Sequence, residues 1–345
     1  MFVILLVSWP LNERSYTRLG LDVLDERNIE YSVINLSRLL YGEKMVSLDK
    51  FSKKYHEIMI TSWKELIFYL QKEKYLFNFL NMKKETFRVF WILKRLNISY
   101  ISFSNMPLPI ANKKERQLLH LLLKPASYGA VVKKTNMFPF SLKKTEFINI
   151  HSIDYDTMLR FEQTPHQRLI DQKYIVFLDQ NLPYHFDFIR NKEKPYVSPE
   201  NYYHILNQYF FEVEQVTGKK VVIALHPSSE KEKYDDFISI KHETINLIKY
   251  ADAVLMHSST AVSFAVLYQK PISMIATEEM IMSKMQALNQ LLSSYIGVPI
   301  INIDKERKVD FVYSKEKFES YKRLFISDSI YKEKLSMEIV LDALI

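Results

Sequence analysis

The chain of 345 residues contains no cysteine and only five glycines. Without thiols there are no disulfides and no thiolate zinc sites, which fits a reducing cytoplasm. So few glycines argue against glycine-rich phosphate loops, and neither G-x-G-x-x-G nor G-x-x-x-x-G-K-[ST] occurs. No apolar run approaches the ~20 residues that cross a bilayer. The apolar start MFVILLVSW lacks the basic flank and cleavage site of a secretory signal, so a soluble, cytoplasmic protein is expected. No internal repeat with a period of about 20–50 residues is visible, which removes solenoids and propellers.

What is present is an ordinary globular composition, 48% hydrophobic and 25% charged, on a chain long enough for two domains. Short apolar runs bounded by turn formers alternate with helical patterns, the signature of parallel sheets covered on both faces. Phe2–Val7 reads as a first strand, followed by a helix over Tyr16–Glu26 and a strand at Tyr31–Asn35. Further strands are expected at Ile58–Thr61, Leu76–Phe79, Tyr100–Phe103 and Phe147–Ile150, with helices over Thr86–Leu96 and Gln117–Leu123. Polar, turn-prone sequence over 151–172 reads as a linker. A second α/β unit then runs through strands at Tyr174–Leu178, Val221–Leu225, Phe237–Ile240, Ala253–Met256 and Ile272–Ile275. Helices are expected over Pro199–Thr217, Thr244–Tyr250 and Glu279–Ser294, and in the tail 314–345. The expected architecture is α/β, with two Rossmann-like domains (1–160 and 161–345) facing one another across a cleft and a C-terminal helix.

Three strands of the second half end in reactive groups. Tyr174–Leu178 delivers Asp179-Gln180, with His185 and Asp187 shortly after; Val221–Leu225 delivers His226-Pro227; Ala253–Met256 delivers His257-Ser258-Ser259-Thr260. Parallel strands share their carboxyl ends, where open α/β sheets bind ligands. Hydroxyls there suit a phosphate, and a histidine before proline can donate to one. Each member has a plainer explanation: Asp179 as a turn cap, His226 as a satisfied histidine, the serines as helix caps. In the first half, Trp9, Asn12 and Glu13 follow the first strand, and Ser104-Asn105-Met106-Pro107 follows a later one; both are places for an acceptor. Asp154 and Asp156, beside His151, would share a side of an extended segment, but no spaced cluster supports a metal site.

The HP of 226–227, the D-x-x-x-x-x-S-S-T run from Asp252 to Thr260 and the following KPISMI resemble bacterial two-domain glycosyltransferases of the GT-B architecture. The nearest members are the sialyltransferases and polysialyltransferases and the related Kdo and other nonulosonic-acid transferases. The resemblance covers roughly residues 174–280. It implies a CMP-sugar donor gripped by His226, Pro227, Ser258, Ser259 and Thr260, a glycan or glycolipid acceptor of the bacterial surface, and no metal or other cofactor. The acidic tripeptide that supplies the base in many sialyltransferases is absent, which leaves Asp179 as candidate and Asp187 behind it. CDP-glycerol glycerophosphotransferases and nucleotide-sugar 2-epimerases share a similar layout, so another nucleotide donor or an epimerase-like protein stands as the alternative.

The net charge of +7 is unevenly placed: between 113 and 144, Lys113, Lys114, Arg116, Lys124, Lys133, Lys134, Lys143 and Lys144 face only Glu115. Interleaved with LLHLLL and MFPF, these residues suit peripheral contact with an anionic membrane. A solvated basic face on a lysine-rich protein is the plainer explanation and the preferred one. No motif points to nucleic acid.

Overall fold

The computed structural model describes residues 2–344 apart from 10, 12, 43–55, 72–74, 105–118, 136, 186–187, 189–193, 230 and 235–236. The described chain forms two compact units: the first extends to Thr157 and also takes Ser327–Ile345, and the second spans Met158–Ile326.

The first unit is built on strands β1 (Phe2–Val7), β2 (Glu30–Asn35), β3 (Glu57–Met59), β4 (Tyr75–Asn78), β5 (Ile101–Ser104), β6 (Tyr128–Val131) and β7 (Glu146–Asn149). They form one parallel sheet in the order β3-β2-β1-β4-β5-β6-β7. Helices α1 (Glu13–Arg18), α2 (Leu21–Glu26), α3 (Ser37–Tyr41), α4 (Trp63–Leu70), α5 (Phe87–Arg95) and α6 (Leu119–Leu122) connect them. Ile4, Leu6 and Leu76 from the sheet pack with Leu66 of α4 and Phe90 of α5 in one buried cluster. The start of α4 is fixed by its sequence: the Ser62 hydroxyl accepts from the Glu65 backbone N–H and the Glu65 carboxylate returns to the Ser62 N–H.

The chain leaves this unit through α7 (Ile153–Gln163). The second unit carries β8 (Tyr174–Leu178), β9 (Lys220–Leu225), β10 (Ile238–Lys241), β11 (Ala253–Met256), β12 (Ile272–Ala276) and β13 (Ile300–Asn302), all parallel, in the order β10-β9-β8-β11-β12-β13. Its helices are α8 (Pro199–Thr217), α9 (Thr244–Tyr250), α10 (Val262–Leu267), α11 (Glu278–Ile281), α12 (Met285–Ile296) and α13 (Lys315–Tyr321). Proline at the first turn of α8 and Gly218 at φ 65 just beyond it mark the ends of that helix. Its Tyr202, Leu206 and Phe210 bury against Ile175, Phe177 and Ile223 of the sheet.

Several expected boundaries change, each for a local reason. The helix read over Tyr16–Glu26 is two, because Gly20 adopts φ +68 between α1 and α2. A Cβ at Gly20 would lie 2.6 Å from Met337 Cβ, so this glycine also lets the chain's last helix approach closely. That helix, α14 (Ser336–Leu344), belongs to the first unit and not to the 161–345 domain expected for it. Arg27 holds it through Asp342 (2.6 Å), and the Asp156 carboxylate accepts from the Ser336 N–H (3.1 Å) and hydroxyl (3.0 Å). The segment 151–172 is not simply a linker, since α7 occupies 153–163. Asp154 and Asp156 therefore sit two residues apart on a helix and point to different sides, which removes the basis for a metal pair there. His151 is fully buried, with Nδ1 at 2.7 Å from the Ser327 hydroxyl.

Candidate functional site

The strand order of the second unit reverses at β8: β9 and β10 lie on one side, β11 to β13 on the other. The crevice outside the carboxyl ends at such a reversal is where open α/β sheets place ligands. Three of its loops carry the expected residues: 179–181 after β8, 226–229 after β9 and 257–260 after β11.

Asp179 is only 6% exposed. Its Oδ1 accepts from the Asn181 N–H (2.8 Å) and the Tyr234 hydroxyl (2.7 Å), and its Oδ2 from the His226 N–H (3.0 Å) and the Ser229 hydroxyl. A buried carboxylate is tolerated when its lone pairs are satisfied in this way. Burial, with the nearby Asp179 adding to it, pushes the Tyr234 phenol well above its ordinary range, so this donor keeps its proton. Asp179, expected as the base, has both carboxylate oxygens engaged by the chain around it, and these bonds tie the loops after β8 and β9 together.

The loop after β9 opens with the His226 turn. The Ser229 N–H donates to the His226 carbonyl (2.8 Å), closing a β-turn with Pro227 at its second position, where proline's fixed φ fits. The side-chain network then sets the tautomer. Tyr203 donates to Asn181 Oδ1 (3.3 Å), and Asn181 Nδ2 donates to the Ser228 hydroxyl (2.9 Å). That hydroxyl passes its own proton toward His226 Nδ1 (2.8 Å), which the Ser228 N–H also approaches (3.3 Å). With Nδ1 an acceptor, the neutral ring carries its proton on Nε2. His185 stands beside it, ring centroids 5.7 Å apart. Asp187 lies outside the described residues.

Across the reversal, Gln180 Nε2 donates to the Ser258 carbonyl (3.1 Å), tying the β8 and β11 loops together. Ser258 is 4% exposed and its Oγ has no hydrogen-bond partner, nor has Gln180 Oε1. Ser259 Oγ accepts from the Ala261 N–H (3.2 Å), which is the turn-capping role; Thr260 is exposed.

His257 does not join the site. It is fully buried, its Nδ1–H donates to the Ile275 carbonyl (2.6 Å), and its Nε2 accepts from the Tyr202 hydroxyl (3.0 Å). Burial pushes this imidazole down to about 4, against the opposing influence of the Ile275 carbonyl and Asp179. The unfolded chain takes up a proton here below its ordinary value of 6.5, and the folded chain only near 4. The contribution of His257 to stability is therefore complete above pH 6.5 and is lost as pH falls toward 4, a loss on the order of 3 kcal/mol. Denaturation midpoints measured across this window should fall steeply for the wild type and more shallowly for His257→Gln. Parallel slopes would show that another group titrates.

The sequence reading missed Asn181, Ser228, Ser229, Tyr234 and Lys233. The second serine pair in HPSS and the asparagine in DQN were visible signals, since Asn181 tolerates its φ of 49 where most residues would not. Lys233 lay in an uninformative lysine-rich stretch. Its Nζ sits 5.1 Å from the Tyr184 ring and 6.0 Å from the Tyr203 ring, with no carboxylate partner among the described residues.

The first unit offers less. The Trp9 carbonyl accepts from Asn35 Nδ2 (3.1 Å), Ser104 is exposed, and Asn12, Asn105, Met106 and Pro107 lie outside the described residues. A cavity of about 460 Å³ between β7 and the C-terminal segment, lined in part by Phe147, Tyr331 and Lys334, gathers none of the expected site residues. Among the described residues no group of three or more His, Asp or Glu side chains could hold a metal ion. No helix among them is long and apolar enough to cross a membrane.

No protein-family model matches the chain, and no curated protein does. Solved structures do. The UDP-GlcNAc 2-epimerase of Neisseria meningitidis bound to UDP-GlcNAc aligns over 100% of this chain and 99% of its own, with a TM-score of 0.53 at 11% identity. The UDP-GlcNAc 2-epimerase of Methanocaldococcus jannaschii aligns over 100% and 99%, with a TM-score of 0.52 at 14% identity. The wall teichoic acid polymerase TagF aligns over 99% of this chain and 89% of its own, with a TM-score of 0.52 at 10% identity. What the chain shares with these proteins is the fold: two parallel-sheet α/β domains of Rossmann-like topology, the GT-B type.

Proposed function

We propose that this chain is a glycosyltransferase that uses a nucleotide-activated donor, whose phosphate is held at the carboxyl edge of the second sheet. The observation that carries this is that, at the strand-order reversal, the β8 loop holds both the His226 turn, through the Asp179 carboxylate and the His226 N–H, and the Ser258-Ser259 loop, through Gln180 and the Ser258 carbonyl. A departing phosphate gains charge as its bond to the sugar breaks, and preorganised donors stabilise that charge. In this reading His226 Nε2–H donates to one phosphate oxygen and the serine hydroxyls turn to others, with the Lys233 ammonium adding positive charge.

The preferred donor is a CMP-linked nonulosonic acid (sialic, pseudaminic, legionaminic or Kdo type) and the acceptor a surface glycan or glycolipid. The HP and SST motifs support this choice. With Asp179 engaged in the turn, Asp187 is the proposed base for the acceptor hydroxyl. A second reading, a nucleotide-sugar 2-epimerase, is favoured by the full-length likeness to two UDP-GlcNAc 2-epimerases.

Thermal unfolding with CMP, CDP, UDP, UDP-GlcNAc and CMP-sialic acid separates these readings. A ligand at about 100 times its Kd stabilises by roughly 2.7 kcal/mol. Stabilisation by CMP and CMP-sialic acid, lost in Ser258→Ala, is the expected result. Stabilisation by UDP and UDP-GlcNAc alone would overturn the CMP donor and leave a UDP-sugar transferase or the second reading, which conversion of UDP-GlcNAc to its 2-epimer without an acceptor tells apart; no response to any nucleotide would overturn both.

A further inference from the structure

We propose that the outer face of α5, in the first unit, docks on an anionic membrane surface. This inference goes beyond the nucleotide site and does not rest on it. The helix buries Val89, Phe90, Ile92 and Leu93 in the core. Its other side presents Phe87 (37% exposed) and Trp91 (43% exposed) among the exposed cations Arg88, Lys94 and Arg95. A surface helix turned to water alone would carry polar groups at those aromatic positions. Phe87, Trp91 and Arg95 follow one another at intervals of four, so they form a single stripe.

The cations are stacked on the aromatics. The Arg95 guanidinium lies 5.4 Å from the Trp91 ring centroid, and that of Arg88 lies 4.4 Å from the ring of Trp63 on α4. Lys94 Nζ donates to the Leu122 carbonyl of α6 (2.9 Å), beside a leucine side chain that is 56% exposed. Large amphipathic rings and cations with long apolar stems are the side chains that settle at headgroup depth. Charge selects the lipid: residues 83–95 hold Lys83, Lys84, Arg88, Lys94 and Arg95 against Glu85 alone. Guanidinium groups lying over Trp63 and Trp91 occupy faces on which nucleic-acid bases would have to stack, which disfavours a polynucleotide as occupant. The basic stretch 113–144 lies outside the described residues as far as 118; its Lys133, Lys134, Lys143 and Lys144 are exposed.

The test is co-sedimentation of the full chain, without nucleotide, with vesicles of phosphatidylcholine alone or mixed with phosphatidylglycerol. Binding to the anionic vesicles only, weakened by salt, is expected. Each basic residue near the surface is worth about fivefold in partition, so Arg88→Gln/Arg95→Gln should weaken binding about 25-fold. Trp91→Ala should weaken it as well, and all three substitutions lie at exposed positions where an unchanged melting temperature confirms folding. The control Lys305→Gln/Lys308→Gln removes two exposed charges from the second unit and should leave binding nearly intact. Equal binding to neutral vesicles, no binding, or an equal loss in the control would overturn the proposal. So would a dimer in gel filtration that Trp91→Ala dissolves, with no vesicle binding, since the face would then serve a second copy of the chain.

Discussion

His226→Ala should lower turnover by about 10²–10³ while leaving the melting temperature nearly unchanged. The two expectations separate because the residue's structural work is done by its backbone. Its N–H donates to Asp179 and its carbonyl closes the turn with Ser229, and neither bond involves the ring. The ring is half-buried, and its Nδ1 is held by Ser228, itself exposed, so truncation breaks that bond at the surface. A donor aimed at the leaving phosphate acts more strongly as charge develops, so the loss should fall mainly on kcat and less on KM. His226→Gln retains an N–H and should recover part of the rate. The measurement is release of nucleotide from the donor that the thermal panel identifies. Near-normal kcat in His226→Ala would remove the histidine from the phosphate, and a fall in melting temperature matching the loss of rate would make its role structural.

Much of the fold could be read because the second half is written in short, saturated apolar runs. YIVFL and AVLM are buried at every position and are strands at the expected bounds. Helix α8 also matches, bounded by its proline and glycine. Elements went unread where the apolar run is short or interrupted. β6 offers only Ala130, Val131 and Val132 after Gly129, whose missing Cβ makes room for Phe140 (2.9 Å) and Thr145 (3.0 Å). The fate of the C-terminal segment was invisible because it is decided by pairs far apart in sequence, Arg27 with Asp342 and Gly20 with Met337. At the site, the convergence of strand ends was legible, but the division of labour within it was not. His257 and His226 both follow apolar strands, yet one faces inward to Tyr202 and Ile275 and the other stands at the turn. Only the contacts of each ring tell them apart.

Asp179 carries the sharpest version of that distinction. Asp179→Ala would leave the Tyr234 and Ser229 hydroxyls and the Asn181 and His226 N–H groups without their acceptor. An unsatisfied buried group costs about 1–3 kcal/mol, and with partial rearrangement the total should be on the order of 4 kcal/mol. Asp179→Asn keeps the volume but turns one acceptor into an N–H₂ that faces donors, so it too should destabilise, by about half as much. Because the carboxylate fixes the His226 turn, both variants should weaken nucleotide binding in step with their loss of stability. A general base behaves otherwise: its amide variant would lose about 10²–10⁴ in turnover with nucleotide affinity and stability preserved. Denaturation midpoints and nucleotide Kd values measured together on Asp179→Asn distinguish the two, and a stable, tight-binding, inactive variant would return Asp179 to the chemistry.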